Sequence, residues 1–274
     1  MNINHFLKIL LLAGSGLASI EAQAEIKQNE AMEAFIAKMN SQHQFDRDEL
    51  SKLFKSVEIK DSILKAISSP AEGMPWYKYR KIFMTDKRIN GGVKFWQDNE
   101  QALNAVEQQY GVPPEIIVAI IGVETYYGGN VGSYRVVDAL STLGFAYPKR
   151  SEFFTRELEN FLLLSREEQM DPLQPIGSYA GAMGIPQFMP SSFRAYAADY
   201  DGDGKRDIWN NNGDVIASVA NYFVKHKWRT GQPVAYPVQV SGKAYKTALT
   251  KGLKPDIEMK SLKSLDVVPE ETIA

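Results

Sequence analysis

The sequence predicts a mainly α (α+β) protein carrying an EF-hand-like loop, and three observations predict it. Apolar residues recur at three- and four-residue spacing through most of the chain between Asn29 and Trp228, the period of one face of a helix. Glycines and prolines crowd together only between Pro172 and Pro190, where they break helices and favour a loop or small sheet lining a surface. An acidic run, DYDGDG from Asp199, has the opening pattern of a cation-binding loop.

Composition narrows the function classes. With 274 residues, 44% of them hydrophobic, the chain can bury a genuine core. Lys and Arg number 31 against 33 Asp and Glu, a net charge of -2, so no basic excess supports nucleic acid binding or a polybasic membrane anchor. There is no cysteine, which removes disulfides, thiolate chemistry and cysteine lipidation. Of the three histidines, His5 lies in a segment expected to be removed, leaving His43 and His226. That is too few for a histidine-rich zinc site, and it argues against a serine triad.

Residues 1–24 read as an export signal. Lys8 precedes an apolar and small run from Ile9 to Ile20, and Ala22-Gln23-Ala24 has the small-x-small pattern of a cleavage site. No later segment approaches the length of a membrane-spanning helix. The mature protein is therefore expected outside the cytoplasm, with no integral membrane segment after signal removal.

Residues 25–112 read as an N-terminal helical domain. Asn29 precedes EAMEAFIAKM, Asp46 and Glu49 stand at capping-box spacing, and Asp61 precedes SILKAI, which Pro70 stops. Trp76, Tyr79, Arg80 and Phe83 form a stripe at helical spacing. Asn90 is the expected cap of a longer helix whose Val93, Trp96, Leu103, Val106 and Tyr110 share a face and which ends at Gly111. Pro113-Pro114 opens a second block, residues 113–231. It contains a helix from Ser151 to Ser165 with Phe153, Phe154, Leu158, Phe161 and Leu162 on its core face, and another from Asp214 to about Trp228. In residues 232–274 the pattern decays, although PVAYPVQV suits a strand.

Within the second block, Ile116 to Val123 has no polar face and reads as a helix buried all round, with Glu124 at its far end. Apolar surroundings and the partial negative charge of a helix C-terminus both favour a protonated carboxyl, and no Lys or Arg lies within ten residues on either side. A carboxyl with a raised pKa is what a general acid needs near neutral pH. The alternative is a solvated glutamate that simply ends the helix. Tyr126 and Tyr127, followed by two glycines, suit the faces of sugars and suit ordinary packing equally.

Asp199, Asp201 and Asp203 occupy positions one, three and five of an EF-hand pattern, with Gly204 at six. Asn210 stands where that pattern has a bidentate glutamate, so a longer loop closed by Asp214 is expected. Carboxylates this close repel one another without a cation, and a structural calcium is the expected occupant. No organic cofactor is expected.

Four segments in order, GVETYYGGNVG from Gly122, SYAGAMGIPQFMPSS from Ser178, DYDGDGKRDIW from Asp199 and ASVANYF from Ala217, resemble the lytic murein transglycosylase B family. The resemblance covers about Trp76 to Gly231. It implies a lysozyme-like fold with an additional N-terminal helical domain and a periplasmic location. It also implies cleavage of the β-1,4 bond between N-acetylmuramic acid and N-acetylglucosamine in peptidoglycan glycan strands, forming 1,6-anhydromuramoyl ends without water. By the same resemblance Glu124 is the single catalytic acid. Ser178 and Gln187 are polar residues of the cleft, Tyr79 and Tyr222 flank the substrate, and Asp199, Asp201, Asp203, the Lys205 carbonyl and Asp214 hold calcium. The absence of cysteine points to the soluble rather than the lipoprotein branch. Relative to the family pattern, residues 232–274 read as a short C-terminal segment lacking one wall of the cleft. A non-catalytic glycan-binding protein therefore stays open as a reading, as does a hydrolytic muramidase using Asp138 or Glu152 as a second carboxylate.

Overall fold

The structure is a computed structural model that describes residues 28–68, 74–249 and 257–270. The expected export signal and the helix stop at Pro70 lie outside the described residues. The chain divides into two compact units, one reaching Trp228 and the other starting at Arg229. The boundary expected at 112 falls inside the first unit, at the turn between two of its helices.

The first unit begins with a helix over 28–43, α1. Asn29 is within it, so it is not the cap expected from the sequence. Helix α2 (Arg47–Lys55) starts where Asp46 accepts the Glu49 amide, as the capping spacing predicts. Helix α3 (Asp61–Ile67) has no side-chain cap; Asp61 is its first residue, and the Lys60 amide donates instead to the Thr142 hydroxyl at 3.0 Å. The connection before α3 is held from outside, by a buried helix, rather than by its own residue.

Helices α4 (Trp76–Phe83), α5 (Asp86–Asp98) and α6 (Glu100–Tyr110) follow. The aromatic stripe of α4 does not enter the core, since no residue of that helix is buried. Thr85, not Asn90, caps α5, accepting the Arg88 amide at 3.3 Å. The expected long helix breaks at Asn99, and before the break Gly92 and Phe95 face inward while Val93 is exposed. Gly111 ends α6 in the left-handed region, φ 67°, a conformation that costs glycine little.

Helix α7 (Pro114–Thr125) begins with proline in its first turn, where the missing N–H is no loss. It is not buried all round. Ile117, Val118 and Ile121 face the core, whereas Glu115, Ala119 and Val123 make an exposed strip at four-residue spacing. Two of those three residues are apolar, so composition hid the strip.

The centre of the unit is α8 (Val136–Ala146) laid against α9 (Ser151–Glu167). Phe154, Leu158 and Phe161 are fully buried from α9, and Leu140 and Leu143 from α8. Each such side chain contributes about 1.5–3 kcal/mol of burial. Helices α1 and α2 join this core through Phe35, Phe54 and Phe145, whose rings meet edge to face with centroids 5.8–6.1 Å apart. Glu159 of α9 accepts from Lys38 at 2.5 Å and pairs with His43 at 2.6 Å, tying down α1. Short helix α10 (Pro190–Tyr196) and helix α11 (Asn212–Lys225) complete the unit. Asn211 caps α11 by accepting the amides of Gly213 and Asp214.

Between α7 and α10 the chain builds the small sheet expected from its glycines. Strand β1 (Tyr134–Arg135) pairs antiparallel with β2 (Ile176–Gly177), Tyr134 opposite Gly177. Met183 bridges to both Gly177 and Phe188.

In the second unit, β3 (Val238–Val240) pairs antiparallel with β4 (Val267–Pro269), Val240 opposite Val267. Helix α12 (Met259–Leu262) precedes β4. Among the described residues, no helix is long and apolar enough to cross a membrane.

Candidate active site

The turn that follows Glu124 has an unusual backbone. Tyr126, Tyr127 and Gly128 have φ values of 54°, 57° and 85°, three left-handed residues in succession, of which the two tyrosines each carry steric cost. Packing offsets it. The ring of Tyr127 stacks on Phe95 at 5.6 Å and lies against Gly91, Gly92 and Gly122; a Cβ at Gly92 or Gly122 would collide with it, and one at Gly91 would be tight. Tyr126 donates its hydroxyl to the Lys87 carbonyl at 3.1 Å. Both tyrosines thus fasten α7 to α5. Both are half-buried by this packing.

Glu124 stands beside this turn and reaches solvent. Among the described residues its carboxyl has no hydrogen-bond or ion-pair partner. Loss of water to the surrounding protein raises its pKa above the ordinary 4.5. A carboxyl that is reachable, unpaired and under-hydrated can both release and recover a proton.

Thr125, the neighbouring residue, was not singled out from sequence. It is buried, donates to the Ile185 carbonyl at 2.8 Å and accepts the Gly128 amide at 3.0 Å. The available signal was a lone hydroxyl ending an apolar helix. Ile185 in turn donates its amide to the Ile208 carbonyl at 2.8 Å. Two hydrogen bonds in series therefore connect the Glu124 end of α7 to the acidic loop.

Gln187 belongs to the same turn as Ile185. Its φ is 53°, and its side-chain amide donates to the Gly184 carbonyl at 2.9 Å and to the Val131 carbonyl at 3.2 Å. That leaves the side-chain carbonyl as its acceptor. Ser178 accepts the amides of Ala180 and Ala182 at 3.2 and 3.1 Å. It is a turn cap whose hydroxyl proton remains to donate. Tyr222 sits among Phe188, Tyr196 and His226, stacking on the His226 ring at 4.0 Å. Tyr79 is half-buried and meets Phe83 at 5.1 Å and Trp76 at 6.4 Å. Through Phe188 and Ile185 the structure joins Tyr222, Gln187 and the end of α7, while Tyr79 belongs to α4.

The two candidate second carboxylates are otherwise engaged. Asp138 is fully buried, held by the Arg135 guanidinium at 2.8 and 2.9 Å and by the Glu58 amide. Its work is to lock the α2–α3 connection onto α8. Glu152 is exposed and paired with Arg156, one turn along α9. Glu157, also missed from sequence, is buried and accepts the Ser191 amide and hydroxyl at 2.9 and 2.7 Å, capping α10.

In the acidic loop, Asp199, Asp201 and Asp203 bring carboxylate oxygens within 4.8 Å of one another. Gly202 and Gly204, at φ 75° and 87°, supply the sharp turns. Amides of Gly204 and Gly202 hold the Asp199 carboxyl below its usual range. Three convergent carboxylates on a loop of this shape fit a hard cation with oxygen ligands. Asp214 is not among the three. It is fully buried and accepts the amides of Tyr200 and Asp207 at 2.8 and 2.7 Å, joining the entry of the loop to its exit. Asn210 turns to the Asp207 carboxylate at 3.1 Å. Trp209 pins the loop to β2 through the Ile176 carbonyl at 3.0 Å.

Residues 27–273 match the family described as the transglycosylase SLT domain. This chain belongs to that family. It is 43% identical over 259 residues to the membrane-bound lytic murein transglycosylase B of Escherichia coli, covering 91% of this chain and 70% of that protein. Among solved structures, the soluble lytic transglycosylase SltB1 from Pseudomonas aeruginosa is 50% identical with a TM-score of 0.84, covering 88% of this chain and 81% of that one. The Escherichia coli lytic transglycosylase Slt35, in complex with calcium, is 44% identical with a TM-score of 0.81, over 88% of this chain and 76% of that one. As an SLT-family chain, the protein has the lysozyme-like fold expected from its motifs.

Proposed function

We propose that this protein is an exported lytic transglycosylase of peptidoglycan with Glu124 as its single acid and base. The observation that carries the reading is the Glu124 carboxyl: exposed to solvent, raised in pKa and without a partner among the described residues, at the end of a helix held from both sides. In the first step Glu124 protonates the bridging oxygen of the β-1,4 bond between N-acetylmuramic acid and N-acetylglucosamine. The bond between that oxygen and the muramoyl anomeric carbon breaks, and the N-acetylglucosamine side leaves as an alcohol. The Glu124 carboxylate then takes the proton of the muramoyl 6-hydroxyl, whose oxygen bonds to the anomeric carbon and closes the 1,6-anhydro ring. The acid is regenerated and no water is consumed. An internal hydroxyl already held close replaces an activated water. A second carboxylate is unnecessary, in keeping with the burial of Asp138 and the ion pair of Glu152.

Gln187 and Ser178 orient polar groups of the glycan, and Tyr79 and Tyr222 lie along its sugar faces. Residues 113–231 carry the chemistry and 25–112 supply a wall through α4. Calcium, held by Asp199, Asp201, Asp203 and the Lys205 carbonyl with Asp214 as the strut of the loop, would neutralise the acidic cluster and stiffen it. Residues 1–24 direct export to the periplasm, and the absence of cysteine favours the soluble form.

The test is to incubate the full mature chain and its Glu124→Gln variant with intact sacculi and weigh the released muropeptides. Products one water lighter than hydrolytic ones, from the parent and not from the variant, are expected. Reducing-end products would replace this reading with a hydrolase, and binding without release would replace it with a glycan-binding protein.

A further inference from the structure

Arg88 sits where its own helix does not favour it. It lies in the first turn of α5, its amide held by the Thr85 cap, and a cation there opposes the helix dipole. Its side chain leaves α5 and donates to the Gly122 carbonyl in the last turn of α7, where a cation is favourable. That carbonyl also accepts the Tyr126 amide at 3.2 Å, the bond that ends the helix. The guanidinium lies over the Tyr126 ring at 5.1 Å and over the Phe83 ring at 5.2 Å. Phe83 meets Tyr79. One planar cation therefore touches the end of the helix that carries Glu124 and the aromatic stack that carries Tyr79. No other basic side chain among the described residues bonds the last turn of α7.

Resting on the reading above, we propose that Arg88 is a positioning residue: it clamps the last turn of α7 and sets the spacing between Glu124 and the α4 wall. It acts through Glu124 and the Tyr79–Phe83 stack, and touches no reacting atom. The strained turn after Glu124 is the reason such a clamp matters. Left-handed residues relax readily once their neighbours release them, and a misplacement on the order of 1 Å at a reacting group costs rate steeply. A lysine would keep the charge near the Gly122 carbonyl but lose the flat stack and the fork of donors.

The test uses the full mature chain with Arg88→Gln and Arg88→Lys. Anhydromuropeptide release gives kcat and KM, and amide hydrogen exchange by mass spectrometry follows residues 121–130 and, as a reference, α9. Arg88→Gln should lower kcat about tenfold or more with KM within about twofold, and should speed exchange in 121–130 while α9 stays protected. Arg88→Lys should recover part of both. Unchanged kcat, or a loss of kcat accompanied by faster exchange throughout α9, would overturn the proposal. If the parent releases no anhydromuropeptide, the enzymatic reading fails on that result. The exchange comparison still decides the clamp, and unchanged exchange in 121–130 overturns it.

Discussion

Glu124 and the acidic loop treat the same chemical group in opposite ways. In the loop, Asp199 is surrounded by backbone N–H groups that hold its carboxyl below the usual range and keep it ionised. At the end of α7, no donor among the described residues is aimed at Glu124, and loss of water pushes its carboxyl up. Carboxylates supplied with donors and crowded with their like suit a cation, and an isolated one suits proton exchange. The difference lies in the backbone: glycines turn amides toward Asp199, whereas the left-handed tyrosine turn directs its amides back to the carbonyls of Gly122 and Ile121.

The sharpest way to break this contrast is at Glu124 itself. Glu124→Gln should lower anhydromuropeptide release by about 10²–10⁴-fold, and parent activity should fall as pH rises through the Glu124 pKa, which lies above 4.5. A pH profile of initial rates checks this, and an activity that rises across that range would contradict the acid role.

Next in size is the strut. Asp214→Ala leaves the Tyr200 and Asp207 amides without their acceptor in a buried place, at a cost of about 1.5–3 kcal/mol for each bond to a charged group. Denaturant unfolding should show a large loss, with calcium-dependent stabilisation lost as well.

On the loop side, calcium at about a hundred times its dissociation constant should stabilise the parent by roughly 2.7 kcal/mol. Asp201→Asn should shrink that gain without unfolding the chain, because its neighbours retain their amide bonds. Melting curves with calcium and with chelator separate the two proteins, and an equal gain in both would sink the assignment.

The smallest effect concerns stability at Glu124. Its raised pKa favours the folded state fully below about 4.5, the unfolded value, and that contribution fades as pH rises through the folded value. Glu124→Gln should therefore melt slightly higher than the parent at neutral pH and at the same temperature in acid.

Much of this was legible in sequence, for identifiable reasons. Asp46, Gly111 and Pro114 announce helix ends because each performs its task with its own atoms. Asn29, Asp61 and Asn90 misled because a polar residue inside a helix looks the same in sequence as a cap. Thr85 claimed one of those starts, and Thr142, 82 residues away, holds the connection before another. The break at Asn99 was hidden because it lies in a run, QDNE, that suits a helix equally well. At the site, Glu124 was visible as the polar end of an apolar helix. The packing of Tyr127 into a glycine groove on α5 was not, since nothing local to the tyrosine tells of Gly91 and Gly92.

The connection from Thr125 through Ile185 to Ile208 has a consequence for how this site drifts in evolution. Two of its three members contribute only main-chain groups, an amide and two carbonyls. The side chains at 185 and 208 can change among apolar residues of similar size without altering the spacing between loop and acid. Thr125 is the one member whose identity is written in the gene, so it is there, rather than at either isoleucine, that a single codon change would uncouple the two ends.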